Sequence, residues 1–371
     1  MKLAVIGRGM IGSAATRHLA EAGYDVTLIG TPEPETYETH DGVFASHYDE
    51  GRITRGLDQN RFWSDVSRAS IARYRVLEAA TGTRFYEEVG VLMAGPQGRS
   101  LIDGVLAVSQ NAGIDHERLD ADQLAQRFPY FKFPQDTLGV FETTNAGYIN
   151  PRRMVQAQLI AAKNAGAHFV EGVAGGLDET GRGVSVMIGK EHLTFDRVLL
   201  ATGGFTQALL GDEVPLKIYA RTVALFSIDA DEQDRLVGMP SHISLLEDGR
   251  DPYLLPPIRY PNGSVCLKLG GDPEDNVLEN TKDVKDWFRS GGSQSVGQFL
   301  EQSIYEKMPS LRVMETQIAP CVTSFTEDEL PVIRALTQRI SVAVGGNGKG
   351  AKNSDELGRL GGEALVGQSI P

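Results

Sequence analysis

The chain has 371 residues, 41% hydrophobic and 23% charged, enough for a large apolar core divided among two or three folding units. A formal charge of −13 disfavours nucleic acid and anionic membrane as partners, and no apolar run approaches the roughly 18 residues that a spanning helix needs. Two cysteines, Cys266 and Cys321, are too few for a disulfide framework, and the first residues lack the pattern of a signal peptide, so a reducing cytoplasm is the expected setting.

The opening segment, KLAVIGRGMIGSAATRHLAEAGYDVTLIG, predicts strand, tight turn, helix and strand. Leu3 to Ile6 is a short apolar run of the kind a buried parallel strand needs. Gly7, Gly9 and Gly12 then give G-x-G-x-x-G, with Met10 and Ile11 opening the helix. The first glycine permits the turn, the second lets backbone approach a pyrophosphate, and the third allows close helix packing. The helix N-terminus supplies N–H donors and a positive dipole end to phosphates. Gly23 stops the helix. The second strand ends in Gly30-Thr31, where a dinucleotide site ordinarily carries an acid for the ribose hydroxyls. Glu33 is the nearest substitute, and its acidic surroundings argue against a 2′-phosphate.

Next, SHYDEGRITRG places Arg52 and Arg55 three residues apart. Loop arginines are usually solvated, but this side chain is also the one suited to bidentate carboxylate binding. Pro151 starts a helix in NPRRMVQAQLIAAKNAGA, and alternating strands follow in HFVEGV, GVSVMIG and HLTFD. In DRVLLATGGF, Val198 to Ala201 form another buried strand, which Thr202 and Gly203 turn toward a helix. In SVCLKLGG, period-two alternation puts Val265, Leu267 and Leu269 on one face and Cys266 with Lys268 on the other. A lysine so placed ordinarily meets solvent. Near the end, Gly345, Gly346, Gly348 and Gly350 suit close backbone approach to a ligand. Asn353 or Ser354 is expected to cap the following helix, with Asp355 and Glu356 in its first turn. No His/Cys cluster has metal-ligand spacing. The expected division is a nucleotide domain of residues 1–84, 145–209 and 322–371, interrupted by a second domain of residues 85–144 and 210–321.

The first fingerprint, SHYDEGRITRG, EEVGVLMAG, LLATGGF, VCLKLGG, APCVTSFTEDELP and GGNGKGAKNSDELGRL occur in the order found in FAD-dependent amine oxidases. Over nearly its whole length the chain resembles the monomeric sarcosine oxidase and N-methyltryptophan oxidase group of the D-amino-acid oxidase superfamily. The resemblance implies an α/β plus α+β fold, a Rossmann-type FAD-binding domain interrupted by a mixed-sheet substrate domain. It implies that Cys321 bonds through sulfur to the 8α-methyl of FAD; the alternative is a buried structural cysteine. Arg52 matches an arginine beside the flavin, Arg55 and Lys352 match cations that grip a substrate carboxylate, and Tyr253 matches an aromatic of the substrate cavity. Lys268 matches the lysine above the ring that activates O2. Cofactor contacts are further implied for Ser46, His47, Val173, Gly346, Gly348, Lys349 and Gly350. Two departures concern the pocket: Asp272 stands where a histidine is frequent, and Lys349 with Ala351 replaces a histidine and an aromatic.

The implied activity is oxidation of a secondary amino acid (N-methyl, N-alkyl or cyclic), with imine hydrolysis and O2 reduced to H2O2. The implied partners are that small substrate and O2, with no nucleic acid or membrane, in a monomer or small homo-oligomer. Fructosyl-amino-acid oxidases and amine dehydrogenases with another acceptor fit the same pattern. An NAD-dependent dehydrogenase is favoured by the first fingerprint alone. A flavin-binding protein without amine oxidase activity is the non-enzymatic alternative.

Overall fold

A computed structural model describes residues 1–246 and 248–368. Its six-stranded sheet runs Val332–Ala335, Ile340–Val344, Arg197–Leu200, Lys2–Ile6, Asp25–Ile29, His168–Val170, parallel except at the first edge strand. Leu3 to Ile6 is apolar throughout because both faces are covered. Leu3 and Val5 pack under the helices Met10–Glu21, Pro151–Asn164 and Gly350–Val366. Ala4 and Ile6 pack under an antiparallel three-stranded sheet, Ala174–Thr180, Gly183–Ile188 and Glu191–Phe195, through Val184, Val186 and Phe195. The helix beginning at Gly350 lies close against the first helix: a Cβ at Gly358 would stand 2.6 Å from that of Ala14.

A buried polar network ties these helices together. Arg17 Nη2 and Gln158 Nε2 donate to Asp355 Oδ2 at 2.7 and 2.8 Å, and Arg73 Nε donates to Oδ1 at 2.5 Å. Burial opposes ionisation of Asp355, but the His18 hydrogen bond and the Arg17 and Arg73 charges hold its carboxyl well below the usual range. The expected cap is therefore corrected. The last helix starts at Gly350, so Asn353 to Glu356 lie inside it, and the two acids bind arginines of neighbouring helices instead of the helix's own N–H groups.

The second large sheet has nine strands. One path runs Asn276–Val277, Lys217–Ser227, Val265–Gly270, Tyr253–Arg259, Ser241–Ser244, Val91–Pro96, Thr137–Glu142, Glu117–Leu119. Strand Glu315–Phe325 pairs along the whole of Lys217–Ser227, so the division expected between residues 321 and 322 falls inside one strand. Helix Gln294–Lys307 covers the sheet by burying Val296, Leu300 and Ile304 against Ala224, Phe226, Leu267 and Leu269. A lysine on such a face ordinarily meets solvent, but Lys268 does not. Its strand is central, with neighbours on both sides, and Lys268 is 0% exposed. A further small sheet has Gly147–Ile149 at its centre, flanked by Arg52–Thr54 and Tyr86–Glu87, all antiparallel.

Candidate active site

The glycine turn closes against the end of the Arg197–Leu200 strand. Gly7 has φ +117°, and a Cβ there would lie 2.2 Å from the Ala201 carbonyl oxygen. A Cβ on Gly12 would lie 1.8 Å from the Gly7 oxygen. Any side chain at either position would force the turn open. A cavity opens beyond it, lined by Gly7, Gly9, Met10, Ile11, Gly30, Thr31, Ser46, Arg52, Val173, Ala201, Thr202, Gly203, Cys321, Gly346, Gly348 and Gly350. Each of these is among the candidate residues of the sequence. Gly12 is buried beneath the turn, and His47 is buried just behind Ser46. Burial pushes the His47 imidazole down to about 4, so it is neutral at pH 7, and its Nδ1 has no partner among the described residues.

The position lacking an acid has a steric explanation. A Cβ on Gly30 would come within 2.6 Å of Arg8 Cβ, so Arg8 fills the space that the stem of an acid would need. Arg8 lines the cavity and pairs with Glu171 at 3.0 Å. Glu33 is already committed. Arg152 reaches it at 2.6 Å and Tyr37 donates to it at 2.7 Å.

Farther along the cavity, Arg52 Nη2 donates to the Ser46 carbonyl at 3.1 Å and lies 3.6 Å from Cys321 Sγ. Both cysteines are free thiols. Cys321 belongs to the long strand that pairs with Lys217–Ser227, and Trp287 Nε1 donates to its carbonyl at 2.8 Å. The other face of Arg52 contacts Asp49, which also contacts the ammonium of Lys268. Lys268 donates a second bond to the Gly51 carbonyl at 2.8 Å. Burial and the Arg52 charge pull the Lys268 ammonium well below its usual range, and the carboxylate touching it acts in the opposite direction. Tyr253 stacks its ring 5.6 Å from that nitrogen, and burial pushes its phenol up to about 12.

A second charged group begins three residues later, about 10 Å along a strand. Arg55 is 7% exposed, its Nε has no partner among the described residues, and its ion pair with Asp58 spans a loose 3.7 Å. Lys349 and Lys352 reach the two oxygens of Asp58 at 3.0 and 3.2 Å. Burial opposes ionisation of Asp58, but these three cations hold it well below the usual carboxylate range. Burial and the Arg55 charge bring Lys352 down to about 7. Glu142 accepts from the Gly56 and Leu57 N–H groups and so fixes the backbone after Arg55, while burial raises its own carboxyl to about 7. Lys349 and Lys352 do not line the nucleotide cavity; their heads turn to Asp58.

Asp272 points elsewhere. Its carboxylate accepts from the Thr222 N–H of the neighbouring strand at 3.0 Å. Asp49 and Asp58, which organise both cation groups, escaped the sequence reading. The available signal was spacing, because an acid stands three residues before Arg52 and three after Arg55. Among the described residues no group of His, Cys, Asp or Glu could hold a metal, and no helix is long and apolar enough to cross a membrane.

The cavity fits FAD on the chain's own terms. A turn that rejects any side chain abuts a helix N-terminus, a thiol and an arginine face the far end, and Thr323 Oγ1 on the wall is buried without a partner among the described residues. The profile of the family described as FAD dependent oxidoreductase matches residues 2–364. N-methyl-L-tryptophan oxidase of Yersinia pestis (strain Pestoides F) is 25% identical over 375 aligned positions, covering 100% of this chain and 95% of the relative. Among solved structures, NikD, described as an unusual amino acid oxidase essential for nikkomycin biosynthesis, superposes in its open form with a TM-score of 0.79 at 19% identity, covering 99% of this chain and 94% of that one. L-proline dehydrogenase from P. horikoshii gives 0.79 at 16% identity, again covering 99% and 94%.

Proposed function

This chain belongs to the FAD dependent oxidoreductase family and is an enzyme, and from that premise we propose that it oxidises the C–N bond of a small secondary amino acid. The substrate is N-methyl, N-alkyl or cyclic, the imine is hydrolysed, and O2 is the electron acceptor. The observation that carries this reading is Arg55: a buried guanidinium with an unbonded Nε, next to a second buried cation, Lys352. Leaving such a group with only a loose carboxylate contact, Asp58 at 3.7 Å, is costly, so the arrangement is explained by an anionic ligand. The relative named for N-methyl-L-tryptophan and the structural neighbour named for L-proline both act on secondary amines that carry a carboxylate.

In this reading FAD is held by the glycine turn, by Thr31, Ser46, Val173, Thr202 and Gly203, and by the loop at Gly346 to Gly350, and is linked covalently through Cys321. Residues 1–84, 145–209 and 322–371 form most of the part that carries it and residues 85–144 and 210–321 the second part, with the strand Glu315–Phe325, which holds Cys321, running across the division. Bound FAD supplies the two-electron acceptor that takes a hydride equivalent from the carbon beside the amine. Arg55 and Lys352 bind and orient the carboxylate, Tyr253 forms a wall, and the neutral amine loses its proton as the imine forms. Lys268 and Arg52 provide the positive charge that favours reduction of O2, whose first electron makes an anion. Two electrons and two protons then leave as H2O2.

An anaerobic screen of N-alkyl and cyclic amino acids tests the reading by flavin bleaching. At least one carboxylate-bearing secondary amine should reduce the flavin. If none does, while dithionite still reduces it, the proposed reaction is wrong.

A further inference from the structure

The carboxylate of Asp49 occupies a built position. Its Oδ2 contacts both Lys268 and Arg52, and its Oδ1 accepts from Tyr260 Oη at 3.2 Å and from the Glu50 N–H at 2.7 Å. Asp49 is 9% exposed and Lys268 is fully buried, so water screens this group little. Arg52 lines the cavity directly and reaches Cys321, so the charge of the trio is felt at that end of the cavity. Lys268 and Arg52 contribute two formal positive charges and Asp49 one negative, leaving a net +1.

We propose that Asp49 is a positioning residue that sets this net charge, and with it the rate at which the reduced flavin reacts with O2. The proposal rests on the reading that the cavity holds FAD. The first electron transferred to O2 creates an anion, and in a site sheltered from water its stability follows the net charge nearby. Asp49 lowers that charge, so it restrains the oxygen reaction. No bond is made or broken by Asp49 itself. It acts through the two cations.

Four proteins test the charge rule. With both cations protonated, which a measurement at low enough pH ensures, the wild type carries +1, Asp49→Asn +2, Lys268→Met 0, and the double variant +1 again. Each is reduced with dithionite, mixed with O2 in a stopped-flow instrument, and followed by flavin absorbance. Asp49→Asn should reoxidise about tenfold faster than wild type and Lys268→Met about tenfold slower, with the double variant back within about threefold of wild type. The flavin reduction potential should rise in the same order as the charge, a response that a purely structural role for Asp49 would not give. A double variant as slow as Lys268→Met, or an Asp49→Asn no faster than wild type, overturns the proposal. If Asp49→Asn does not fold with two unscreened cations, the double variant, which removes both partners of an ion pair together, still decides: reoxidation faster than Lys268→Met supports the rule and an equal or slower rate refutes it. Dithionite replaces the amine, so an enzyme that oxidises no secondary amine can still obey this ordering, and one that does can break it.

Discussion

Arg55→Ala removes a guanidinium that is 7% exposed and that, among the described residues, is bound to the protein only through a 3.7 Å ion pair. Its hydrogen-bonding capacity is therefore largely unspent until a ligand arrives. Truncating one partner of a buried, hydrogen-bonded charge pair costs about 2–5 kcal/mol of binding. At about 1.4 kcal/mol per tenfold, that corresponds to a Kd roughly 30- to 4,000-fold weaker for a carboxylate substrate. The lower end is expected, because Lys352 and Lys349 remain beside the vacated place. A second effect has a definite sign. After burial, the Arg55 charge is the chief influence that brings Lys352 down to about 7. In the wild type, carboxylate affinity should therefore fall as pH rises through about 7 and Lys352 loses its proton. Without Arg55, Lys352 holds its proton to higher pH, so the same fall should move in the alkaline direction. The assay is anaerobic titration of flavin bleaching with an amino acid and with its neutral amide. Arg55→Ala should weaken the acid at least about 30-fold and the amide less than about threefold. Equal losses for both compounds, or a pH midpoint that stays put, would refute the assignment.

Acid precipitation should leave the flavin attached to the wild-type polypeptide and release it from Cys321→Ser; flavin in the wild-type supernatant sinks the covalent link. Gly12→Ala places a Cβ 1.8 Å from the Gly7 oxygen and should yield folded protein stripped of most of its flavin, measured as the ratio of visible to ultraviolet absorbance. Wild-type flavin content in that variant would mean that the turn does not cradle the cofactor. Asp355→Asn should lower unfolding stability by about 3 kcal/mol in urea, because it removes the buried charge shared by Arg17 and Arg73 and leaves them only the more exposed Glu21 and Glu356. The Asp355 carboxyl is held low, so its contribution is complete above the ordinary carboxylate pKa of about 3.9 and is lost as pH falls below it. The variant should accordingly lose less stability than wild type on acidification, and an identical acid profile would contradict this.

The strands and turns of the nucleotide half were legible because each rests on local rules. An apolar run covered on both faces, a glycine turn and a helix start can all be read within thirty residues. The interior of the second sheet was less legible. Alternation sorted Lys268 correctly onto the face opposite Leu267 and Leu269, but a central strand buries both faces, and period two cannot tell solvent from an enclosed site. The start of the last helix was missed for a different reason. Asn353 to Glu356 look like a cap and an acidic first turn, yet tertiary partners on three other helices claim Asp355 and Glu356, and the helix begins earlier on glycine.

The two acids at the site carry a more general point. Arg52, Arg55, Lys268, Lys349 and Lys352 are five cations in largely buried positions, an arrangement too repulsive to fold without anions among them. Asp49 and Asp58 supply those anions, one to each group, and both stand in the same twelve-residue run as the two arginines, 47 to 58. The run carries charge and counter-charge together, so the cations can be desolvated before any substrate arrives. The partition is unequal in a useful way. Asp49 engages both of its cations closely, whereas Asp58 holds the two lysines and leaves Arg55 nearly free. An incoming carboxylate therefore meets an arginine whose pair with Asp58 is loose, and little of that pairing is given up on binding. Under the proposed function, selectivity for an anionic amine would follow from that imbalance rather than from the number of positive charges.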